Sequence, residues 1–334
     1  MRAYQLPKAG AIENLVKVDL PQPKPAHRQV LVRVRACSLN FRDLAIVLGR
    51  YPMGVKPDVV PLSDGAGEVV EVGAGVMRVK VGDRVAGNFH QRWVGGHAGA
   101  DAQALGGPID GMLREFAVLE DDGVVKLPPH LSYQEGACLP CAGVTAWNAL
   151  VEHGRLIAGQ SVLVQGTGGV SIFALQFARL LGAEVIATSS SDAKLERTKK
   201  LGARAGVNYK ATPEWDKAVL DHTGGLGVDQ VVEVGGAGTL AKSLRAVRVG
   251  GKVSMIGVLT GAAELNPMLI LARRANVQGI SVGSTQMFEA MNRAIAVGQS
   301  KPVIDKVFSF DETPAAFHHL QSAQHFGKIV IDLA

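Results

Sequence analysis

Two groups of residues in this sequence have the types and spacing to do chemistry. The first is Gly166-Thr167-Gly168-Gly169-Val170. It lies between an apolar run, Val162 to Val164, and a stretch in which Ile172, Leu175, Phe177, Ala178 and Leu181 recur at helical spacing. Glycine has no Cβ, so such a turn can bend sharply and let a pyrophosphate lie against the backbone. The helix that starts there turns its free N–H groups and positive dipole end toward the anion. Ser171 occupies the third small position, where Gly or Ala is usual. Gly182 stops the helix, and a second apolar run leads to Thr188, Ser189, Ser190 and Ser191, with Lys194 and Arg197 beyond. An NAD-selective site places Asp or Glu about 20 residues along, on the ribose 2′-hydroxyl. Hydroxyls beside cations suit a 2′-phosphate instead, so the expected cofactor is NADP(H). The alternative is that Lys194 and Arg197 are ordinary solvated helix charges.

The second group lies near the N-terminus. Asn40, Arg42 and Asp43 form a polar cluster ahead of the apolar Leu44, Ile46, Val47 and Leu48, which read as a short helix ended by Gly49. Arginine cannot give up its proton. Arg42 can polarise a carbonyl or hold a charged group, or it can simply pair with Asp43 or Asp64. Tyr51 could donate a proton from the following loop. Cys138 and Cys141 form a CxxC that could be a redox pair or half a zinc site. With no second pair in the chain, they read as small residues packed in a buried helix. His90 and His97 fall in a polar, glycine-rich stretch, 89–111, expected to be a surface loop. There they read as solvated side chains, with metal or substrate binding as the sharper option.

These residues need a scaffold. A chain of 334 residues suggests two domains, and 47% hydrophobic against 19% charged residues argues for a substantial core rather than disorder. The net charge is +5, but Lys and Arg are scattered, so no nucleic-acid face is expected. The positive balance helps attract an anionic cofactor. The N-terminus lacks a signal-peptide core, and no apolar run approaches the roughly 18 residues of a membrane span. Three cysteines make no disulfide framework. The expectation is a soluble cytoplasmic protein with a small-molecule substrate.

Residues 1–130 read as strands and turns. The stretch 30–34 alternates as a half-buried strand, further strands are expected at 68–72, 84–86 and 112–118, and Leu127-Pro128-Pro129 reads as a linker. Helices are expected at 133–142 and 145–152. From Ser161 the rhythm becomes strand and helix in alternation, with strands at 161–164, 184–188, 206–208, 229–234, 252–256 and 277–282. Six strands with helical crossovers imply a parallel sheet covered on both faces. A β-rich tail follows from Pro302 and returns to the first domain. The expected division is 1–130 with 298–334, and 131–297.

SDGAGEVVEVGAGVMRVKVGDRV, LPCAGVTAWNAL, QGTGGVS, VGGKVSMIG and FGKIVI occur in this order. By these segments the chain resembles the medium-chain dehydrogenase/reductase superfamily along its whole length. The resemblance implies an α/β protein: a GroES-like β-rich substrate domain and a Rossmann domain with a doubly wound, parallel six-stranded sheet, the active site lying in the interdomain cleft. It also implies a homodimer joined along the edges of the cofactor-domain sheets.

Departures from the zinc-dependent pattern point to the zinc-independent branch, near the quinone oxidoreductases. Asn40, Ser63 and Asp64 stand at the positions of the first catalytic cysteine, the histidine and the following Glu. Only Cys141 keeps its ligand, and 89–111 lacks the four structural cysteines. Ala45 stands where the quinone oxidoreductases carry a tyrosine. The resemblance puts Asn40 and Thr145 beside the nicotinamide, Lys194 and Tyr209 on a 2′-phosphate, and the backbone of Gly235, Gly257-Val258 and Val282-Gly283 along the cofactor groove. The expected activity is hydride transfer from NADPH to a quinone, activated enone or aldehyde, with Asn40, Ser63 and Arg42 as donors to the developing oxyanion. The alternatives are an alcohol dehydrogenase with an atypical zinc site (Cys141, Asp64 and a loop histidine), or a non-enzymatic NADPH-binding sensor.

Overall fold

The computed structural model describes residues 1–99, 102–257, 259 and 264–333. It divides into two compact units, Met1–Val144 with Val282–Ala334, and Thr145–Ser281. Among the described residues no helix is long and apolar enough to cross a membrane.

In the first unit β1 (Arg2–Gln5) pairs antiparallel with β2 (Val16–Asp19). The long strand β3 (Gln29–Ser38) organises the main sheet. Val30, Val32 and Val34 of β3 are buried, as their alternation predicts. After β3 comes α1 (Phe41–Val47), whose N-terminus is closed by the Asp43 carboxylate accepting from the Asn40 backbone N–H at 2.8 Å. Strands β4 (Asp64–Val72), β5 (Arg84–Gly87), β6 (Phe116–Glu120) and β7 (Val124–Lys126) follow, then the short helix α2 (Tyr133–Ala137). The helical path continues to His153 through α3 (Val144–Trp147), with wider π-type turns at Leu139–Gly143 and Asn148–His153. The expected surface loop at 89–111 is instead partly core: Phe89, Gln91, Trp93 and Leu105 are buried.

The second unit holds β8 (Ser161–Gln165), α4 (Gly169–Leu180), β9 (Glu184–Ser189), α5 (Asp192–Lys200), β10 (Ala205–Asn208) and α6 (Trp215–His222). It continues with β11 (Val228–Glu233), α7 (Ala237–Ala246), β12 (Val247–Met255), α8 (Met268–Arg273) and β13 (Asn276–Gly279). The sheet order is β10-β9-β8-β11-β12-β13, parallel throughout. Order reverses between β8 and β11, and an open parallel sheet binds its ligand outside the strand ends at such a switch point. Val162, Leu163 and Val164 are buried, as a continuous apolar run in a doubly covered strand requires.

The chain returns to the first unit earlier than expected, with α9 (Thr285–Gly298), β14 (Ile304–Ser309), α10 (Thr313–Gln321) and β15 (Lys328–Asp332). The boundaries thus fall after Val144 and before Val282, not at 130 and 298. The cause is α9, which buries Phe288, Met291 and Ile295. Its Thr285 hydroxyl donates to the Asp122 carbonyl at 2.7 Å and its Asn292 amide to the Lys126 carbonyl at 2.9 Å. The expected β-rich tail also contains a helix, α10, whose Phe317 and Leu320 enter the first-unit core. Strand β15 runs antiparallel to β3 with Val330 opposite Ser38, while β4 pairs on the other side of β3 with Asp64 opposite Ser38.

Candidate active site

The second unit presents its candidate residues along one row of strand ends. After β8, Gly166 adopts φ +69°, and its N–H donates to the Thr188 carbonyl at 2.8 Å. A methyl built on Gly166 or Gly168 would meet no atom within 4 Å, so the turn faces open space. No side chain caps the first turn of α4, which leaves its N–H groups for an anion. Ser171 is accommodated because its hydroxyl donates to the Gln165 carbonyl at 2.6 Å. Thr167 is buried in the same turn.

Next to this turn β9 ends in buried Thr188 and Ser189, with Ser190 half-buried and no carboxylate on the strand end. The Ser191 hydroxyl caps α5 by accepting from the Lys194 N–H at 3.4 Å, which sets Lys194 in the first turn. Tyr209 follows β10, exposed, its N–H on the Ser189 carbonyl at 3.0 Å. Asp192, in the first turn of α5, accepts from the Asn208 amide at 2.8 Å.

Gly235 and Gly257 follow β11 and β12. A methyl on Gly257 would stand 1.8 Å from the Val234 carbonyl oxygen, so only glycine lets these two turns touch. Glu233, which the sequence reading missed, builds the first of them. Its buried carboxylate accepts from the Gly235 N–H (2.8 Å), the Gly236 N–H (3.0 Å), the Thr239 hydroxyl (2.6 Å) and the Gln165 amide (2.8 Å), and also from the Ser243 hydroxyl. A fully buried carboxylate is tolerable only with such a set of donors. Val258 lies outside the described residues. Thr145 is buried in the helical segment that opens this unit.

The first unit holds Asn40, Ser63, Arg42 and Tyr51, with Val282 and Gly283. Asn40 and Ser63 come together. The Asn40 Nδ2 lies 3.5 Å from the Ser63 hydroxyl, which donates to Asp64 Oδ1 at 2.9 Å. Asp64 Oδ2 also accepts from the Ser38 hydroxyl at 3.2 Å. Into this group projects Lys328, which the sequence reading also missed. Its Nζ donates to the Leu39 carbonyl (2.8 Å) and to Asn40 Oδ1 (2.5 Å), and stands 3.5 Å from Asp64 Oδ2. Asn40, Ser63, Asp64 and Lys328 are all buried. Leu62, just before Ser63, holds φ +70°, and Val282 holds φ +54°. Both are costly for non-glycine residues, and such strain gathers at functional positions.

Arg42 goes elsewhere. Its Nη1 donates to the Leu105 carbonyl at 2.7 Å and lies 3.5 Å from Asp43 Oδ1. Its guanidinium is stacked 4.7 Å from the Phe89 ring centroid and 5.2 Å from that of Tyr51. Nε and Nη2 are buried without a partner among the described residues. The pairing with Asp43 is therefore real, and none of these contacts joins Arg42 to Asn40 or Ser63. The Tyr51 hydroxyl is 3.5 Å from the Met53 sulfur. Burial pushes the Asp43 carboxyl up from 3.8 to about 6, with Arg42 opposing and Asp64 adding to the shift.

Residues 26–129 match the alcohol dehydrogenase GroES-like domain family, and residues 169–296 the zinc-binding dehydrogenase family. A zinc-type alcohol dehydrogenase-like protein of Schizosaccharomyces pombe is 45% identical over 91% of either chain. A quinone oxidoreductase of Rattus norvegicus is 31% identical over 99% of this chain and 97% of its own. The structure of a putative alcohol dehydrogenase from Sinorhizobium meliloti superposes with a TM-score of 0.92 at 40% identity, covering 99% of this chain and 98% of that one. The chain belongs to the medium-chain dehydrogenase/reductase superfamily. Its activity class is accordingly that of an oxidoreductase.

Two groups that this superfamily implies can be tested against the residues. A nicotinamide dinucleotide fits the second unit: the open glycine turn, the uncapped helix and the glycine contact at Gly257 make a cradle that side chains would fill. A catalytic zinc does not fit the first unit. Zinc needs about three thiolate, imidazole or carboxylate ligands, and no cluster of three such groups is present among the described residues. The Asn40 oxygen and one Asp64 oxygen already face the Lys328 ammonium. Burial pushes the Cys138 thiol up to about 12 and the Cys141 thiol higher still, far from the thiolate that a metal binds. His90 is not solvated either. It packs against Phe89 and Trp93, and burial lowers its pKa, keeping it neutral. His97 is exposed.

Proposed function

We propose that this protein is a zinc-independent, NADPH-dependent reductase of a quinone, activated enone or aldehyde. The observation that carries the cofactor choice is the end of β9. Hydroxyls stand there in place of a ribose-binding carboxylate, Lys194 sits in the next helical turn, and the Asp192 carboxylate of that turn is engaged by Asn208. The bound dinucleotide supplies the hydride. The glycine turn and the first turn of α4 hold its pyrophosphate, and Ser189, Ser190, Lys194 and Tyr209 hold its 2′-phosphate. In the first unit the Asn40 Nδ2 is the donor offered to the acceptor oxygen, while Ser63, whose single proton goes to Asp64, stands beside it as an acceptor. Conjugated acceptors delocalise incoming charge and need fewer such donors, which ranks quinones and enones first. The rat relative's name, quinone oxidoreductase, agrees with that ranking.

The deciding experiment measures NADPH and NADH oxidation side by side over a panel of quinones, enones and aldehydes, with and without a chelator. The expected result is at least tenfold preference for NADPH in kcat/KM, indifferent to chelation. Activity abolished by chelator and restored by zinc would replace this reading with a metal-dependent alcohol dehydrogenase. Tight NADPH binding without turnover would replace it with a sensor.

We also propose a homodimer through the outer edge of β13, which pairs only with β12 among the described residues. The preceding α8 leaves Met268 and Leu271 exposed, at 57% and 67%. Sedimentation of a single 35.1 kDa species would refute it. Three free thiols suit a reducing compartment such as the cytoplasm.

A further inference from the structure

We infer that Lys328 is a positioning residue for the reaction: its buried ammonium locks the Asn40 side-chain amide with Oδ1 inward and Nδ2 committed as the donor. The inference rests on the reading above, in which Asn40 serves the acceptor. Lys328 lies at the start of β15, with Val330 opposite Ser38 of β3, so the same antiparallel register carries Lys328 opposite Asn40. The Leu39 N–H donates to the Ile329 carbonyl at 3.0 Å and holds that register past the end of β3.

An amide has two ends that chemistry must tell apart. A lysine ammonium has donors only, so the atom 2.5 Å from Nζ has to be the amide oxygen. The other end of Asn40 is then the NH2 group. Ser63 gives its proton to Asp64 at 2.9 Å, so the Ser63 oxygen can only accept on the Asn40 side. Direction is thus fixed around the whole group, from Lys328 through Asn40 and Ser63 to Asp64. One Nδ2 proton faces Ser63 at a long 3.5 Å, and among the described residues the other has no protein acceptor. A positive charge on Oδ1 draws electron density from the amide nitrogen and strengthens its remaining donor, the more so away from water. Asp64 balances that charge at 3.5 Å, so the group stays neutral as a whole. Lys328 need not touch the substrate for this effect.

The test uses the full chain with NADPH and two acceptors, a quinone and an enal. The variants are Lys328→Met, Lys328→Arg, Asn40→Ala, and Lys328→Met with Asn40→Ala. Lys328→Met leaves Asp64 buried without a counter-charge, so Lys328→Met with Asp64→Asn is run beside it in case the single variant fails to fold. Lys328→Met is expected to lower kcat about 10–100-fold, the scale of an oxyanion donor and its support, with the NADPH KM within about twofold. In the Asn40→Ala background the same change should cost less than about twofold, because its target is gone. Lys328→Arg keeps a donor-only cation and should recover part of the loss.

A loss that multiplies in full with that of Asn40→Ala would make Lys328 merely structural and overturn the proposal. A second readout needs no turnover. With asparagine-selective 15N labelling, the Asn40 side-chain NH2 should exchange slowly and as one rotamer in the wild type. It should exchange fast in Lys328→Met and in Lys328→Met with Asp64→Asn. An unchanged amide signal in them overturns the proposal. If the wild type reduces neither acceptor, the reductase reading falls by itself, and the amide exchange still decides whether Lys328 holds Asn40.

Discussion

The strand ends of the second unit and the polar group of the first are built by opposite means. The first is made of backbone: glycine turns, an uncapped helix, and hydroxyls at the end of a strand. The second is made of side chains, Asn40, Ser63, Asp64 and Lys328, brought together from three separated parts of the chain. A backbone site is cheap to build, because its donors belong to elements that exist anyway. A side-chain site buries charge and must balance every member of it. The second unit should therefore lose ligand affinity without losing stability when altered, and the first should lose stability as well.

Asp64→Asn tests that contrast most severely. It removes the ion-pair partner of the buried Lys328 ammonium and leaves only the more distant Asp43 to face it, and about 3–5 kcal/mol of stability should go, read by urea denaturation. A change below about 1 kcal/mol would mean that water already reaches the group, and the contrast would fail.

Asp43 gives the next largest effect. Its carboxyl titrates at about 6 in the folded protein against 3.8 ordinarily, so the folded state holds the extra proton between those values. The contribution of Asp43 to stability should be greatest below about pH 4, fall as pH rises toward about 6, and then level, by roughly 3 kcal/mol in all, while carboxyls held low, such as Asp229, act in the opposite sense at the acid end. Asp43→Asn should remove most of this slope while its side-chain oxygen still accepts from the Asn40 N–H. Denaturation curves across pH 3.5–7.5 for both proteins would show whether the slope belongs to this residue.

In the second unit, Gly168→Ala is the sharper test. Gly168 has φ −77° and ψ −178°, which alanine adopts freely, and the new methyl meets no protein atom within 4 Å. The melting temperature should hold while NADPH affinity drops about 10–100-fold, about 1.4–2.7 kcal/mol, since the methyl stands where phosphate belongs. Fluorescence titration with NADPH measures the second effect and a thermal melt the first. A fall in melting temperature with affinity intact would reverse the comparison.

The smallest expected effect is Lys194→Ala, which should raise the NADPH KM about fivefold and leave that for NADH alone, as befits a partly solvated charge contact. Equal changes for both cofactors would remove Lys194 from the 2′-phosphate site.

How far the sequence could be read follows the same division. The glycine turn after β8, the serines ending β9 and the lysine beyond are adjacent in the chain, so local pattern sufficed to find them. Asn40 and Ser63 were found through the positions they occupy in the family pattern. Lys328 and Glu233 were not found, although both leave a trace: a charge set against a short apolar run, KIVI and VVEV. Such a charge must have a buried partner, but its identity depends on which strand lies opposite. Arg42 was offered a role toward a carbonyl or charged group, or a pairing with Asp43 or Asp64; packing paired it with Asp43 and added a stack against Phe89 and Tyr51 that local pattern does not show. The early return at Val282 was missed because α9 has an ordinary amphipathic pattern that does not say which sheet it will cover.

By itself, then, the sequence determined the strand–helix rhythm of the second unit, the glycine turn after β8 and the superfamily. These depend on residues within a few turns of one another, where propensity and glycine's freedom act directly. Only the tertiary structure decided that Lys328 faces Asn40 and Asp64, that Glu233 carries the glycine turn after β11, and that α9 belongs to the first unit. Those outcomes depend on strand register and on the balancing of buried charge, and neither exists until distant segments have met.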